Sequence, residues 1–280
     1  MADTPEPASR HCPLCGADNR ARPPGPYSRL PWLVKTCPAC TFTYLENPPA
    51  YAALEEDFAW EKTSAAEESR RRTARPLAKR LSHAFRRFRQ KVLKRDKLFT
   101  LLRRHIPPGR VLDIGCGGGG VLARLPAGYE PHGIEISRVL AAQADALVRP
   151  RGGRVVQASA VEGVAAFAPD SLDGALLSAF LEHEAQPTLL LRGLQRALRP
   201  GAPVIIKVPN YASLNRRVRG ARWCGFRFPD HVSYFTPATL ARLAQDCGFR
   251  VAQCTLGDRW PFSDNLWMVL AKPTSTSPAS

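Results

Sequence analysis

The stretch Val111-Leu-Asp-Ile-Gly-Cys-Gly-Gly-Gly-Gly120 constrains this chain more than any other. An apolar run that ends on successive glycines reads as a buried strand entering a tight turn, because glycine alone turns the backbone freely at no steric cost. Val121, Leu122 and Leu125 follow at helical spacing and predict a helix after the turn. Twenty residues beyond Gly115, Glu135 lies near the end of a second apolar run, His132 to Ile136, where an acid can grip both hydroxyls of a ribose. Together these features predict an α/β fold with a nucleoside site in the crevice at the carboxyl ends of its strands.

Gly115, Gly117 and Gly120 also satisfy the dinucleotide spacing, so the glycines alone leave a nicotinamide cofactor open. Asp113 argues against it. A carboxylate two residues before the first glycine repels a pyrophosphate and favours the cationic amino-acid end of S-adenosylmethionine.

Four of the eight cysteines form two Cys-x-x-Cys pairs, Cys12 with Cys15 and Cys37 with Cys40, separated by 21 residues. Four thiolates so spaced can close a tetrahedron around Zn²⁺, leaving no open position, so a zinc ribbon over residues 11–45 is expected to be structural and not catalytic. Cys224, Cys247 and Cys254 show no ligand spacing and read as small hydrophobes.

Charge is concentrated in one place. Thirteen of the 40 Lys and Arg lie between Arg70 and Lys97 beside a single acid, Asp96, so that segment carries +12 of the formal +16. Leu77, Leu81, Phe85, Phe88 and Val92 share one helical face there, which predicts an amphipathic basic helix within a connector spanning 46–104. Such a surface attracts an anionic membrane or RNA, or packs its apolar stripe on the neighbouring domain. With 44% hydrophobic residues over 280 positions, the rest suffices for one α/β domain. No stretch approaches the roughly 20 apolar residues of a membrane span, and no signal-peptide order is seen at the start, so a cytoplasmic chain is expected. The polar, Pro-containing ends are expected to fray. No obligate protein partner is evident.

Val111-Leu-Asp-Ile-Gly-Cys-Gly-Gly-Gly119, then Asp173-Gly-Ala-Leu-Leu-Ser178, Leu181-Glu-His183, Leu198-Arg-Pro-Gly201 and Val204-Ile-Ile-Lys-Val-Pro-Asn210, resemble in order the stations of the class I S-adenosylmethionine-dependent methyltransferases. The resemblance implies a doubly wound, mostly parallel seven-stranded sheet over about 105–272, with an acceptor cap at 209–235. It implies that Asp113, Gly115 and Gly117 line the methionine part, Glu135 the ribose and Ile136 the adenine face. Cys116, Ser159 and Ser178 complete the expected cofactor set, Ser159 standing where the family commonly has an Asp.

Pro209-Asn210, Ser213, Arg217, Trp223, Pro229, His231, Phe235 and Gly248-Phe249 resemble a bacterial branch associated with saccharide, polyketide and other secondary-metabolite pathways, whose acceptors are diverse. His231, in the acceptor segment, is the expected base for a hydroxyl acceptor, and His183 is the second candidate. Each can instead be structural, locking a loop or packing at a strand end. Ubiquinone-type O-methyltransferases have a similar Leu-Glu-His station with a further Glu where this chain has Ala179, so no catalytic metal is expected. Arg216, Arg217, Arg219, Arg222 and Arg227 within 209–235 point to an anionic small-molecule acceptor, nucleotide-linked, phosphorylated or presented on lipid, with Arg217 and Arg222 expected to meet it. Two rival readings stay open: a ribosomal RNA methyltransferase that uses the basic connector, and a noncatalytic adaptor that keeps the cofactor fold.

Overall fold

The computed structural model describes residues 9–49 and 96–274. The amphipathic basic helix expected between Leu77 and Val92, and both chain ends expected to fray, lie outside the described residues.

The larger sheet has seven strands: β3 (Gly109–Ile114), β4 (Tyr129–Glu135), β5 (Val155–Gln157), β6 (Gly174–Ser178), β7 (Pro203–Pro209), β9 (Arg250–Gln253) and β10 (Asn265–Ala271). Their spatial order is β5-β4-β3-β6-β7-β10-β9, and β10 runs antiparallel to both its neighbours. The chain winds outward from β3 to β5, then returns to the other side of β3 as β6. That reversal opens a crevice beyond Ile114, the place where doubly wound sheets bind their ligands.

Alternation along the strands explains the layers. Leu112 and Ile114 face one core with Leu177, Ile206 and Leu270, whereas Val111, Leu176, Ile205 and Val269 face the other. Both faces are covered, so the strands read as continuous apolar runs. Helices α1 (Lys97–His105) and α2 (Arg138–Val148) cover the second face through Leu98, Leu102, Ala144 and Val148. Helices α3 (Ala160–Ala165), α4 (Pro187–Ala197) and α6 (Pro237–Asp246) cover the first; Leu190, Leu191 and Leu194 supply the stripe of α4. Thr236 caps α6 reciprocally with Thr239, and Gly248, at φ +80°, lies just beyond its end.

The helix expected after the glycine loop is one 3₁₀ turn, Leu122–Arg124. Leu125 precedes Pro126, and the proline ring drives the residue before it into extended backbone (ψ 133°), which stops the turn from lengthening.

A second, three-stranded sheet was not legible in the sequence. Strands β1 (Val34–Thr36) and β2 (Thr43–Leu45) form the hairpin of the cysteine module, and β8 (Ser233–Tyr234) of the cap pairs with β2. Cys12, Leu14, Cys37, Phe42 and Tyr44 belong to the same core as α4 and α6, with Phe42 against Phe235 at 5.1 Å between ring centres. The module therefore shares the core of the larger sheet's first face.

Candidate active site

Asp113 and the glycine loop stand at the end of β3. Gly115 and Gly117 have φ of +69° and +53°, so both adopt the left-handed conformation that disfavours side chains. They differ in what surrounds them. A Cβ on Gly115 would lie 2.2 Å from the Phe180 ring, whereas nothing lies within 4 Å of the corresponding point on Gly117. The first glycine allows close packing and the second leaves a cradle open.

Glu135 at the end of β4 is buried and held from both sides: Gly117 N–H donates to Oε2 (2.8 Å) and Ser137 N–H donates to Oε1 (3.0 Å). The carboxylate is thus oriented before any ligand arrives. Burial, and then the neighbouring Glu135 charge, push the Asp113 carboxyl up to about 7. A cationic ligand group at this point would return Asp113 to its ionised form.

The remaining cofactor candidates separate. Ile136 and Ser178 are half-buried at the ends of β4 and β6. Cys116 lies in the second core, and its Sγ would meet a Cβ on Gly133 at 2.6 Å, so only its backbone belongs to the loop. The side chain of Ser159 caps α3, its Oγ accepting from Glu162 N–H and donating to Glu162 Oε2 (2.7 Å). That hydroxyl is already engaged as a helix cap.

Beyond β6 the chain bends through Ala179, an exposed residue at φ +60°, a costly conformation for a residue with a Cβ. It then delivers Glu182 and His183 to His231 of the cap. Ligand-type atoms of these three lie within 4.8 Å of one another, and the two imidazoles meet edge-on with centres 4.7 Å apart. His183 Nδ1–H donates to Asp230 O (2.9 Å) and His231 Nδ1–H donates to Gly225 O (2.8 Å). A carbonyl can only accept, so each ring carries a proton on Nδ1, and neutral His183 has its basic lone pair on Nε2. Burial, aided by the Arg227 charge, pushes His183 down to about 4, so it is neutral at pH 7. The same two residues were candidates separately in the sequence; only the fold brings them together.

Burial also pushes Glu182 up to about 8, against the pull of Lys207 and Arg227, and its Oε2 has no hydrogen-bond partner. Because the folded-state value lies above the ordinary 4.5, the folded protein holds this proton where the unfolded chain has lost it. Stability therefore falls as pH rises from about 4.5 to about 8. Glu182→Gln is expected to flatten that slope and raise Tm by a few °C near pH 8; an unchanged Tm-versus-pH profile would show Glu182 to be ionised.

Two further residues contribute, of which Arg10 had no signal in the sequence. The guanidinium of Arg10 binds the carbonyls of Leu45 (2.9 Å), Val232 (2.8 Å) and Ala185, clamping module, cap and the β6–α4 loop together. Arg227 is half-buried, ion-paired to Asp230 at 3.3 Å, and its charge acts on both Glu182 and His183. Arg217 and Arg222, expected to meet the acceptor, are exposed on or just beyond α5 (Leu214–Arg219).

In the cysteine module the two hooks have the same hydrogen-bond pattern. Gly16 N–H donates to Cys12 O and Thr41 N–H to Cys37 O, each 2.8 Å, with Gly16 and Thr41 both left-handed. The four sulfurs lie within 4.8 Å of one another, and Cys12–Cys40 and Cys15–Cys37 approach to 3.5 and 3.6 Å. Burial disfavours the Cys37 thiolate, but Asn19 and the backbone N–H groups of Cys40 and Ala39 outweigh it and bring Cys37 down to about 6. This donor set fits a tetrahedral metal.

Known proteins agree with this architecture. The chain is 28% identical over 163 residues to the ubiquinone biosynthesis O-methyltransferase of Burkholderia pseudomallei (strain 1710b), covering 53% of this chain and 68% of that one. It is 31% identical over 162 residues to the enzyme of the same name from Paraburkholderia phymatum, covering 53% and 67%. Among solved structures, a Haloferax volcanii complex of the Trm112 methyltransferase activator and a methyltransferase matches with TM-score 0.52 at 18% identity, covering 62% and 88%. An S-adenosylmethionine-dependent methyltransferase from Listeria monocytogenes matches at 0.50 and 16%, covering 62% and 97%. At these identities the structures speak for the fold alone. The sequence profile described as a methyltransferase domain matches residues 85–254. With its glycine loop and seven-stranded sheet, the chain belongs to this family and is a class I S-adenosylmethionine-dependent methyltransferase.

Proposed function

We propose that the protein transfers a methyl group to an oxygen of a small, anionic or lipid-linked metabolite. The observation that carries this reading is the edge-on pair of imidazoles, neutral His183 and buried His231, beyond β6 and on the same sheet edge as the glycine loop. S-adenosylmethionine supplies a methyl group already activated on sulfonium, so the protein's part is to position, to exclude water and to accept one proton.

In this reading Asp113 and the open cradle at Gly117 hold the amino-acid end, Glu135 holds the ribose, and Ile136 covers the adenine. His183 Nε2 takes the acceptor's proton. His231 packs edge-on against His183 and positions it. Glu182, protonated at neutral pH, keeps this pocket free of an anion that would repel an anionic acceptor. The four cysteines hold a structural Zn²⁺, and residues 11–45 with the cap at 209–235 form the wall on the acceptor side.

Arg227, rather than Arg217 or Arg222, is assigned the acceptor's negative charge, because its guanidinium acts on both Glu182 and His183. Arg227→Gln is expected to raise the acceptor KM about tenfold, the loss of one charge-assisted hydrogen bond, while Arg217→Ala with Arg222→Ala leaves it within about twofold. The reverse order would move the anion site to the cap's outer surface.

The founding experiment incubates the protein with methyl-labelled S-adenosylmethionine and host extract, then counts label in small-molecule, lipid and RNA fractions with and without ribonuclease. Label in the metabolite or lipid fraction supports the reading; label lost to ribonuclease assigns the activity to RNA. Turnover abolished by a chelator at unchanged zinc content, and restored by Mg²⁺, would assign Glu182, His183 and His231 to a metal instead of a proton.

A further inference from the structure

Eight large apolar side chains are exposed among the described residues, and four of them lie on two segments that hydrogen-bond to each other. Leu256, Trp260 and Phe262 (72%, 53% and 61% exposed) lie on the loop between β9 and β10, and Val218 (85%) lies on α5. Hydrogen bonds join the two: Leu214 N–H donates to Pro261 O at 2.7 Å, and the Asn215 side-chain Nδ2 donates to Phe262 O at 3.0 Å. Trp260 and Phe262 lean on each other, with ring centres 6.0 Å apart.

The loop's position gives this patch a meaning. Asn265 pairs with Pro209 and Asn210 N–H donates to Asp264 O, so the loop stands at the carboxyl end of β7, on the same edge of the sheet as the glycine loop and the imidazole pair. Arg217, Arg219 and Arg222, on or just beyond α5, and Arg259, in the loop itself, are exposed. The two acids of these segments are turned inward: Asp258 is 3% exposed and bound to Lys97, Gln253 and Thr255, while Asp264 accepts from Trp223, Ser213 and Asn215. What reaches solvent is therefore cationic and apolar.

The strongest basic run of the sequence also ends here. Lys97, last of the thirteen cations counted from Arg70, bonds Asp258 Oδ1 at 2.8 Å and Gly257 O at 3.1 Å within this loop.

We propose that Leu256, Trp260, Phe262 and Val218, with Arg217, Arg219, Arg222 and Arg259, form a docking surface for a lipid bilayer containing anionic phospholipid. Trp and Phe beside cations suit the headgroup boundary, where apolar tips enter the acyl region and guanidinium groups meet phosphate. Each cation near an anionic leaflet adds to the attraction, and that part is screened by salt. A nucleic acid would use the cations and the aromatic faces but has no use for the aliphatic Leu256 and Val218. Docking here would turn the acceptor edge of the sheet toward the membrane, which deepens the reading of a lipid-linked acceptor and rests on that reading only for its purpose, not for the binding itself.

The test is co-sedimentation of the full chain with vesicles of phosphatidylcholine alone and of phosphatidylcholine with phosphatidylglycerol, without cofactor or acceptor. The wild type is expected to sediment with the anionic vesicles, less strongly but measurably at high salt. Trp260→Ala with Phe262→Ala is expected to weaken that binding about tenfold or more, as loss of two interfacial aromatic anchors should. Val218→Asp, on a different segment, is expected to act in the same direction. Unchanged S-adenosylmethionine binding shows that each variant is folded. Equal sedimentation of variants and wild type overturns the proposal, as does failure of the wild type to bind anionic vesicles, including the case where it binds RNA instead. Because no turnover is read, either failure leaves the methyl-transfer reading standing, and a failed labelling experiment leaves this one standing.

Discussion

His183→Ala is expected to lower kcat by about 10²- to 10⁴-fold, the usual contribution of a positioned general base, with the dissociation constant for S-adenosylmethionine within about twofold of wild type. The asymmetry follows from geometry. The cofactor side is built from β3, β4 and the glycine loop, whose orientation depends on Gly117 and Ser137 N–H bonds to Glu135 and on nothing from the imidazole pair. His183 is anchored separately, through Asp230 O and its own N–H to Phe180 O. Since burial holds this imidazole down to about 4, loss of activity through its protonation should come only as pH falls toward about 4. An unperturbed histidine would lose activity near 6.5. His231→Ala, a positioning change, should cost less in kcat and shift the acid limb. A His183→Ala protein that loses cofactor affinity in proportion to kcat would make His183 structural.

Cys37→Ser is expected to abolish turnover and lower Tm strongly while S-adenosylmethionine still binds. Removing one ligand of a closed four-sulfur site removes most of the metal's folding free energy, on the order of 10 kcal/mol in isolated zinc modules. Here the module shares a core with α4 and α6, which retains part of the structure, but its hairpin also supplies β2, the partner of β8. Leu45 N–H donates to Val232 O, the residue after His231, at 2.9 Å. Loosening the hooks therefore releases the cap that carries His231, and leaves the glycine loop in place. Metal content per chain, limited proteolysis of residues 214–235 and cofactor titration read the three parts separately. A metal-free protein with full turnover would show that the thiols are only a packed cluster.

Local spacing explains which parts were readable from the chain. The glycine loop, Glu135 and the cysteine hooks are each encoded within a few neighbouring residues, because a left-handed turn or a two-sulfur knuckle needs only its own backbone. Thr236-Pro237 starts α6 by the same local logic, a capping hydroxyl followed by a proline at the first helical position. The helix after the glycine loop did not, because Pro126 outweighs the apolar spacing of Val121, Leu122 and Leu125. Ser159, expected at the cofactor, has its hydroxyl engaged at the start of α3.

The candidates at the acceptor edge show the opposite case. His183 and His231 could each be picked from residue chemistry, but their contact joins the end of β6 to the cap. The Arg10 clamp reaches Val232 across 222 positions and Ala185 across 175. Arg227 rather than Arg217 or Arg222 lies beside the pair because burial, not composition, sorts five arginines within one segment.

By itself the sequence determined the fold class, the cofactor and the four-thiol module, since these rest on backbone conformation and short-range spacing that the residues dictate locally. Only the tertiary structure decided that the module and cap share one sheet, that two imidazoles meet beside a protonated Glu182, and that an aromatic, cationic surface stands at the same edge. Those features depend on contacts between distant segments and on burial, which shifts a proton equilibrium by the dielectric around it, and neither quantity is written in any stretch of residues.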